Sequence, residues 1–325
     1  MRTMEEQGMK RTTLLFILLL LAIALPAYFR TQKKHSEIIK PDVHYVPTPQ
    51  NVVDEMLAMA RVGSDDILYD LGCGDGRIVI TAAKKWGTRG IGIEIDPKLI
   101  RLSKGNAAKA KVEDRVTFYE QDLFETDFSE ATVVALYLLP ELNLRLRRKF
   151  LTELRPGSRI VSHSWDMGEW EADDVRLSSP YWLEWFPGES PKRSPLFMWV
   201  IPANVSGIWQ WQEGNGSQDR KELRITQRFQ KAEGVFSGPA GKNLAAVEIA
   251  GESVQITIDE VIGEKIQRTI YQGRAEGDVI EGMVTFGHGP KKENRPWRAV
   301  RLPGTMTAVD KEKKLPEKEE KKVTP

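Results

Sequence analysis

Tyr69-Asp70-Leu71-Gly72-Cys73-Gly74-Asp75-Gly76-Arg77 is the stretch on which the reading of this 325-residue chain turns. An apolar run, Ile67–Asp70, precedes it and reads as a short strand; Arg77–Trp86 follows and reads as a helix. Glycines at 72, 74 and 76 let the backbone turn tightly and lie against a ligand, and the helix beginning there offers unpaired N–H groups. The spacing is G-x-G-x-G, with Arg77 where a dinucleotide fingerprint would need its third glycine. That departure disfavours a nicotinamide or flavin dinucleotide.

Outward from this turn, strands and helices alternate. A helix over Gln50–Arg61 precedes it; strands follow at Gly90–Ile95, Val116–Glu120, Thr132–Tyr137 and Arg159–Ser162. Helices are expected at Pro97–Lys111 and Glu141–Leu154. Such alternation predicts a doubly wound α/β sheet, parallel and covered on both faces. The Thr132–Tyr137 strand is apolar throughout, as burial on both faces requires. Trp182–Phe186 and Leu196–Ile201 are expected to close the sheet as an antiparallel hairpin.

A second acid should end the second strand to hold ribose hydroxyls, and Glu94 stands there, about 20 residues downstream of the turn. Asp96 is read as the cap of the next helix, with Pro97 in its first position. After the third strand, Asp122 can accept a hydrogen bond from an adenine amino group, with Leu123 against the ring.

Asp70–Arg77, Glu94 and Asp122 together resemble the successive motifs of the class I, seven-stranded S-adenosylmethionine-dependent methyltransferases. The resemblance covers residues 42–202 and implies a Rossmann-like sheet with S-adenosyl-L-methionine as cofactor. It implies that Asp70, Gly72, Gly74 and Gly76 meet the methionine end, Glu94 the ribose and Asp122 the adenine. Tyr45-Val46-Pro47-Thr48-Pro49, ahead of Val52–Leu57, resembles more narrowly the mitochondrial lysine N-methyltransferases that modify ATP synthase and the adenine nucleotide translocase. More distantly it resembles the Dot1-type enzymes. That likeness implies an arm bearing Tyr45 and Thr48 that folds over the cofactor, and a lysine or other amine of a protein as acceptor. No Asn/Asp-Pro-Pro-aromatic tetrad follows the fourth strand; Tyr137-Leu138-Leu139-Pro140 stands there. Methylation of nucleic-acid bases is therefore not expected.

Direct methyl transfer asks the protein to align a nucleophile and exclude water. Tyr137, Glu141 and His163 lie at strand C-termini, where open α/β sheets bind ligands, and are the acceptor-side candidates; each has a structural reading beside the catalytic one. Trp165 and Asp166 could line the same pocket or simply pack and cap. The basic run Arg145–Lys149 reads first as a solvated helix face and second as a contact for anionic lipid.

Beyond Ala203 the texture changes to short β-rich runs about ten residues apart with glycine-containing turns, from Gly207–Trp211 to Trp297–Val300. They predict a small all-β barrel or sandwich over 203–305. Residues 306–325 form a Lys/Glu/Pro-rich tail, expected to be disordered.

At the other end, a 31–44 linker follows a 1–30 segment whose apolar run is Leu14–Phe29. It is read as a membrane anchor near the lower length limit for a spanning helix, with the catalytic domain in the cytoplasm. Ala22-Ile23-Ala24 keeps open a cleaved signal and export. Net charge is +1, Cys73 is the single cysteine and the four histidines lack ligand spacing, so neither a disulfide nor a metal site is expected. Two further readings stay open: a small-molecule or lipid methyltransferase, and a cofactor-binding membrane-associated protein without turnover.

Overall fold

A computed structural model describes residues 45–182, 190–212, 220–238, 241–286 and 293–310. The expected anchor, linker and tail beyond Asp310 lie outside these residues. Among the described residues no helix is long and apolar enough to cross a membrane.

Seven strands form one sheet: β1 (Ile67–Leu71), β2 (Arg89–Glu94), β3 (Val116–Glu120), β4 (Val133–Leu136), β5 (Arg159–His163), β6 (Asp174–Leu177) and β7 (Pro195–Val200). Their order is β3-β2-β1-β4-β5-β7-β6, parallel except for β7, which runs antiparallel between β5 and β6. Every residue of β4 is buried, as its unbroken apolar run requires. Helices α1 (Gln50–Met59), α2 (Arg77–Trp86) and α3 (Pro97–Ala110) bury Val52, Val53, Met56, Ile78, Val79 and Ile100 against one face. On the other face α4 (Pro140–Glu153) buries Leu142, Leu146 and Phe150, beside Trp170 and Trp199. Asp96 caps α3 as expected, accepting the Lys98 amide at 2.7 Å with Pro97 in the first turn.

The closing hairpin differs from the expectation. The strand paired with β7 is Asp174–Leu177; of the expected Trp182–Phe186 strand, only Trp182 lies within the described residues. Tyr181 makes only an isolated bridge to Lys192. An exposed edge strand of alternating charge and aliphatic residues needs no apolar run, so hydrophobicity does not point to Asp174–Leu177.

Beyond Val205, eight strands close into an up-and-down barrel: β8 (Gly207–Gln212), β9 (Arg220–Arg228), β10 (Lys231–Gly238), β11 (Gly241–Ala250), β12 (Ser253–Ile262), β13 (Lys265–Glu276), β14 (Val279–Phe286) and β15 (Glu293–Arg301). Each pairs with its chain neighbour, and Val300↔Gln210 and Arg301↔Trp209 close the ring. Closure removes the unpaired edges of an open sheet. Between the barrel and sandwich alternatives, the fold is the barrel. Alternate residues face inward, among them Leu223, Ile225, Val254, Ile256, Ile258 and Ala299.

The barrel is docked on the sheet domain at one end. Phe229, in the β9–β10 turn, stacks on Trp170 with ring centroids 5.8 Å apart and belongs to the sheet's core, not the barrel's. Its φ of 52° is costly for an aromatic residue and holds the ring in that slot. The Ala203 amide donates to the Gly251 carbonyl at 2.7 Å, and Lys231 pairs with Glu171 at 2.6 Å. Truncating Phe229 to alanine is expected to destabilise the protein by about 3–5 kcal/mol in chemical denaturation, with cofactor affinity kept. A change below about 1 kcal/mol would show that the stacked ring does not couple the domains.

Candidate active site

The turn after β1 is built on left-handed backbone: φ is +79° at Gly72, +55° at Gly74 and +79° at Gly76. The amides of Gly72 and Cys73 both donate to the Ile93 carbonyl at 2.9 Å, tying the turn to the end of β2. A methyl on Gly76 would fall 2.7 Å from the Phe118 ring, so the start of α2 lies directly against β3. A methyl on Gly72 would fall 3.0 Å from Leu138, which brings the loop after β4 against the same turn. That juncture, where the strand order reverses between β1 and β4, is where open α/β sheets bind ligands.

Three carboxylates surround the turn. Asp70 is 2% exposed, and its Oδ2 has no hydrogen-bond partner among the described residues. Burial first, then the Asp75 and Glu94 charges, push its pKa up to about 8. Such an orphaned acid fits a ligand that brings a cationic donor. Glu94 is buried and holds the loops in place: Oε2 accepts the Gly74 amide at 3.0 Å, and Oε1 those of Ile95 and Asp96 at 2.8 and 2.9 Å. Oε2, with a single amide donor, retains acceptor capacity for a hydroxyl. Asp122 is half-buried in the loop after β3, where Oδ1 accepts the Phe124 amide at 2.8 Å. Cys73 is buried and its thiol is pushed far up, chiefly by burial, so it is inert.

The arm ahead of α1 does fold back over the turn. Gly74 faces Tyr45 so closely that a methyl there would lie 2.2 Å from the ring's Cε2. Burial, then the neighbouring Asp75, raises the Tyr45 phenol to about 12. Arg77, placed where a dinucleotide site would carry glycine, makes a forked pair with Asp75 (Nε–Oδ1 3.0 Å, Nη2–Oδ2 2.7 Å). Its Nη1 donates to the Thr48 carbonyl at 2.8 Å, so the arginine clasps the arm. The sequence offers no signal for this clasp beyond the unexpected residue itself.

On the acceptor side, Tyr137 and His163 come together with ring centroids 4.0 Å apart. His163 is fully buried; burial lowers its pKa to about 4, so the imidazole is neutral at physiological pH. Nδ1 lies 3.4 Å from Thr48 Oγ1, while Nε2 has no partner among the described residues. Burial raises the Tyr137 phenol, which stays protonated. Tyr181 approaches His163 edge-on at 6.2 Å. It was missed from sequence because it arrives from the loop after β6, with no motif of its own. Glu141 stands exposed in the first turn of α4, where its charge suits the helix dipole.

Asn143, also missed, is fully buried on α4 and donates from Nδ2 to the carbonyls of Trp165 and Asp166 at 3.3 and 3.2 Å. It fixes the loop after β5, where Ser164 sits at φ 68° and Trp165 is exposed. The basic run on α4 is largely engaged within the chain: Arg145 lies 3.6 Å over Phe124, Arg147 donates to the Met167 carbonyl at 3.0 Å, and Lys149 pairs with Glu153 at 2.7 Å.

Two outcomes follow from this geometry. Because the folded-state pKa of Asp70 lies above its unfolded value of about 4, the folded state holds the extra proton between pH ~4 and ~8. Stability should therefore fall as pH rises through that window and level off above it. Asp70→Asn should flatten that fall in thermal melts while abolishing cofactor binding; an unchanged slope would refute the buried orphan acid. Gly74→Val, strained at positive φ and driven into Tyr45, should remain folded by circular dichroism yet lose cofactor binding in calorimetry.

Residues 70–174 match the family profile described as ANTKMT methyltransferase domain, ending before the barrel begins. The chain is 47% identical over 136 residues to the protein-lysine N-methyltransferase of Saccharolobus islandicus, covering 42% of this chain and 84% of that one. It is 31% identical over 134 residues to the adenine nucleotide translocase lysine N-methyltransferase of Mus musculus, covering 41% of this chain and 58% of that protein. Among solved structures, the S-adenosyl-L-homocysteine complex described as an RNA methyltransferase from Salinibacter ruber shares 49% identity, with 49% of this chain and 96% of that chain covered and a TM-score of 0.43. The chain therefore belongs to the protein-lysine N-methyltransferase family of class I, S-adenosylmethionine-dependent methyltransferases, and is an enzyme of that type carrying an additional β-barrel.

Proposed function

We propose that this enzyme transfers a methyl group from S-adenosylmethionine to the side-chain amine of a lysine in a protein acceptor. The observation that carries the reading is His163, wholly buried at the end of β5, held neutral, with Nε2 unpartnered among the described residues, against the Tyr137 ring. When bound, the cofactor supplies an electrophilic methyl on a sulfonium. Asp70 would hold its ammonium group, Glu94 its ribose hydroxyls and Asp122 its adenine amine, and Tyr45 and Thr48 would cover it. His163 and Tyr137 orient the incoming amine with hydrogen bonds. A base with a pKa of about 4 does not take up the amine's proton. The proton leaves to solvent beforehand, because burial against rings and a nearby positive charge both disfavour an ammonium.

The lysine acceptor is supported by the Saccharolobus and mouse relatives named above. The experiment is incubation of the full chain with radiolabelled cofactor and a membrane-protein extract, with peptide mass spectrometry of the labelled bands. Methyl-lysine is the expected product; label confined to lipid or to RNA would overturn the acceptor. His163→Gln should lower kcat by about tenfold or more and leave cofactor affinity within about twofold.

We further infer that Leu14–Phe29 stays as an anchor with the catalytic domain on the cytosolic side, where the cofactor is made. Four basic residues after the run (Arg30, Lys33, Lys34, Lys40) against three before it (Arg2, Lys10, Arg11) support that orientation. A mature N-terminus at Leu25, or digestion of the Lys/Glu-rich tail from outside intact cells, would reverse the placement.

A further inference from the structure

The two ends of the barrel interior treat buried polar groups differently. Toward the methyltransferase domain the buried side chains find partners. Trp209 Nε1 donates to the Val205 carbonyl at 2.8 Å. Gln227 Nε2 donates to the Ala203 and Phe229 carbonyls at 2.9 and 2.7 Å, and its Oε1 accepts the Val205 amide at 2.7 Å. Arg301, 3% exposed, pairs with Asp278 at 2.9 Å, donates to the carbonyls of Asn204, Ser206 and Gly277, and lies over the Trp209 ring.

Away from that domain the accounting fails. Trp211 and Trp297 are 4% and 6% exposed, and neither indole N–H has a hydrogen-bond partner among the described residues. Asn243 Nδ2 is likewise buried and unpartnered. Register brings these groups to one region. Trp211 pairs with Lys221 and Asn243 with Phe236; Trp211 meets Phe236, Tyr271 and Trp297 at centroid distances of 5.9, 5.1 and 5.8 Å. Lys221 Nζ lies 3.5 Å from Tyr271 Oη. A buried donor left unmatched is costly, so three in one interior are unlike a finished core. All three are donors, and none is an acceptor.

We propose that this half of the barrel is a second ligand site, separate from the methyl-transfer centre, which takes a small amphipathic carboxylate. The carboxylate oxygens accept from Trp211 Nε1, Trp297 Nε1 and Asn243 Nδ2, with the Lys221 ammonium nearby favouring negative charge. The apolar body lies against Phe236 and Tyr271. Eight-stranded barrels enclose either packed side chains or one small ligand, and the unmatched donors distinguish this case. An acid also stands toward this end: Glu260 lies 3.5 Å from where a methyl on Gly238 would stand. It favours a single carboxylate over a more highly charged anion.

The test is calorimetric titration of the full chain with decanoate, using decyltrimethylammonium as the matched cation. Saturable one-to-one binding of decanoate, with the cation at least about tenfold weaker, is the expected result. Asn243→Asp, isosteric but reversing donor to acceptor, should weaken decanoate by about tenfold or more, and Trp297→Phe should do the same. Both variants should keep cofactor affinity, which reports that they are folded. Absence of decanoate binding, equal affinity for the cation, or insensitivity to Asn243→Asp in a folded variant would each overturn the site. None of these results bears on the lysine acceptor, since the methyl-transfer centre is tested by product and not by decanoate.

Discussion

The backbone between Leu71 and Arg77 must reverse direction within five residues while staying close enough to β2 for two consecutive amides to share the Ile93 carbonyl. Only residues tolerating positive φ at alternate positions can do this, and Gly72, Gly74 and Gly76 supply them. The rest of the site depends on that turn. It sets where α2 starts, how near Leu138 comes from the far side of the order reversal, and where the Tyr45 ring can rest. A side chain at any of the three glycines would displace Leu138, Tyr45 or Phe118.

Electrostatics around the turn are arranged at a cost in carboxylate solvation. Asp70, Asp75 and Glu94 are crowded together, and the least hydrated of them, Asp70, absorbs the penalty as a raised pKa and an unpaired oxygen. Arg77 neutralises only Asp75 and directs its remaining donor to the Thr48 carbonyl. The arm that covers the site is thereby fastened to the loop that would hold the cofactor. The hydroxyl of the same Thr48 reaches His163, so cofactor side and acceptor side share one short segment.

The barrel is joined to this machinery by packing at one end, chiefly Phe229 within the sheet's own core. Its interior divides into a matched half beside the enzyme and a half with unmatched donors away from it. A domain that closes its strands into a ring gains an interior whose polarity can be set without exposing edges.

How much of this was legible in the sequence depends on the range of the interactions involved. Strand–helix alternation, the Asp96 cap, the glycine turn with Glu94 and Asp122, and eight β runs after Ala203 are local patterns, written in neighbouring residues and periodicity. They specified the fold class, the cofactor and the division into sheet and β-rich parts. The edge strand Asp174–Leu177 escaped because an exposed strand carries little hydrophobic signal. Tyr181 against His163, Asn143 beneath the loop after β5, the Arg77 clasp on Thr48 and closure of β15 onto β8 join residues distant in the chain. The sequence by itself determined the local conformations and the cofactor motifs, since backbone sterics and burial period act over a few residues. Only the tertiary structure decided which acceptor-side groups meet and which buried donors go unmatched, because those depend on how whole elements pack.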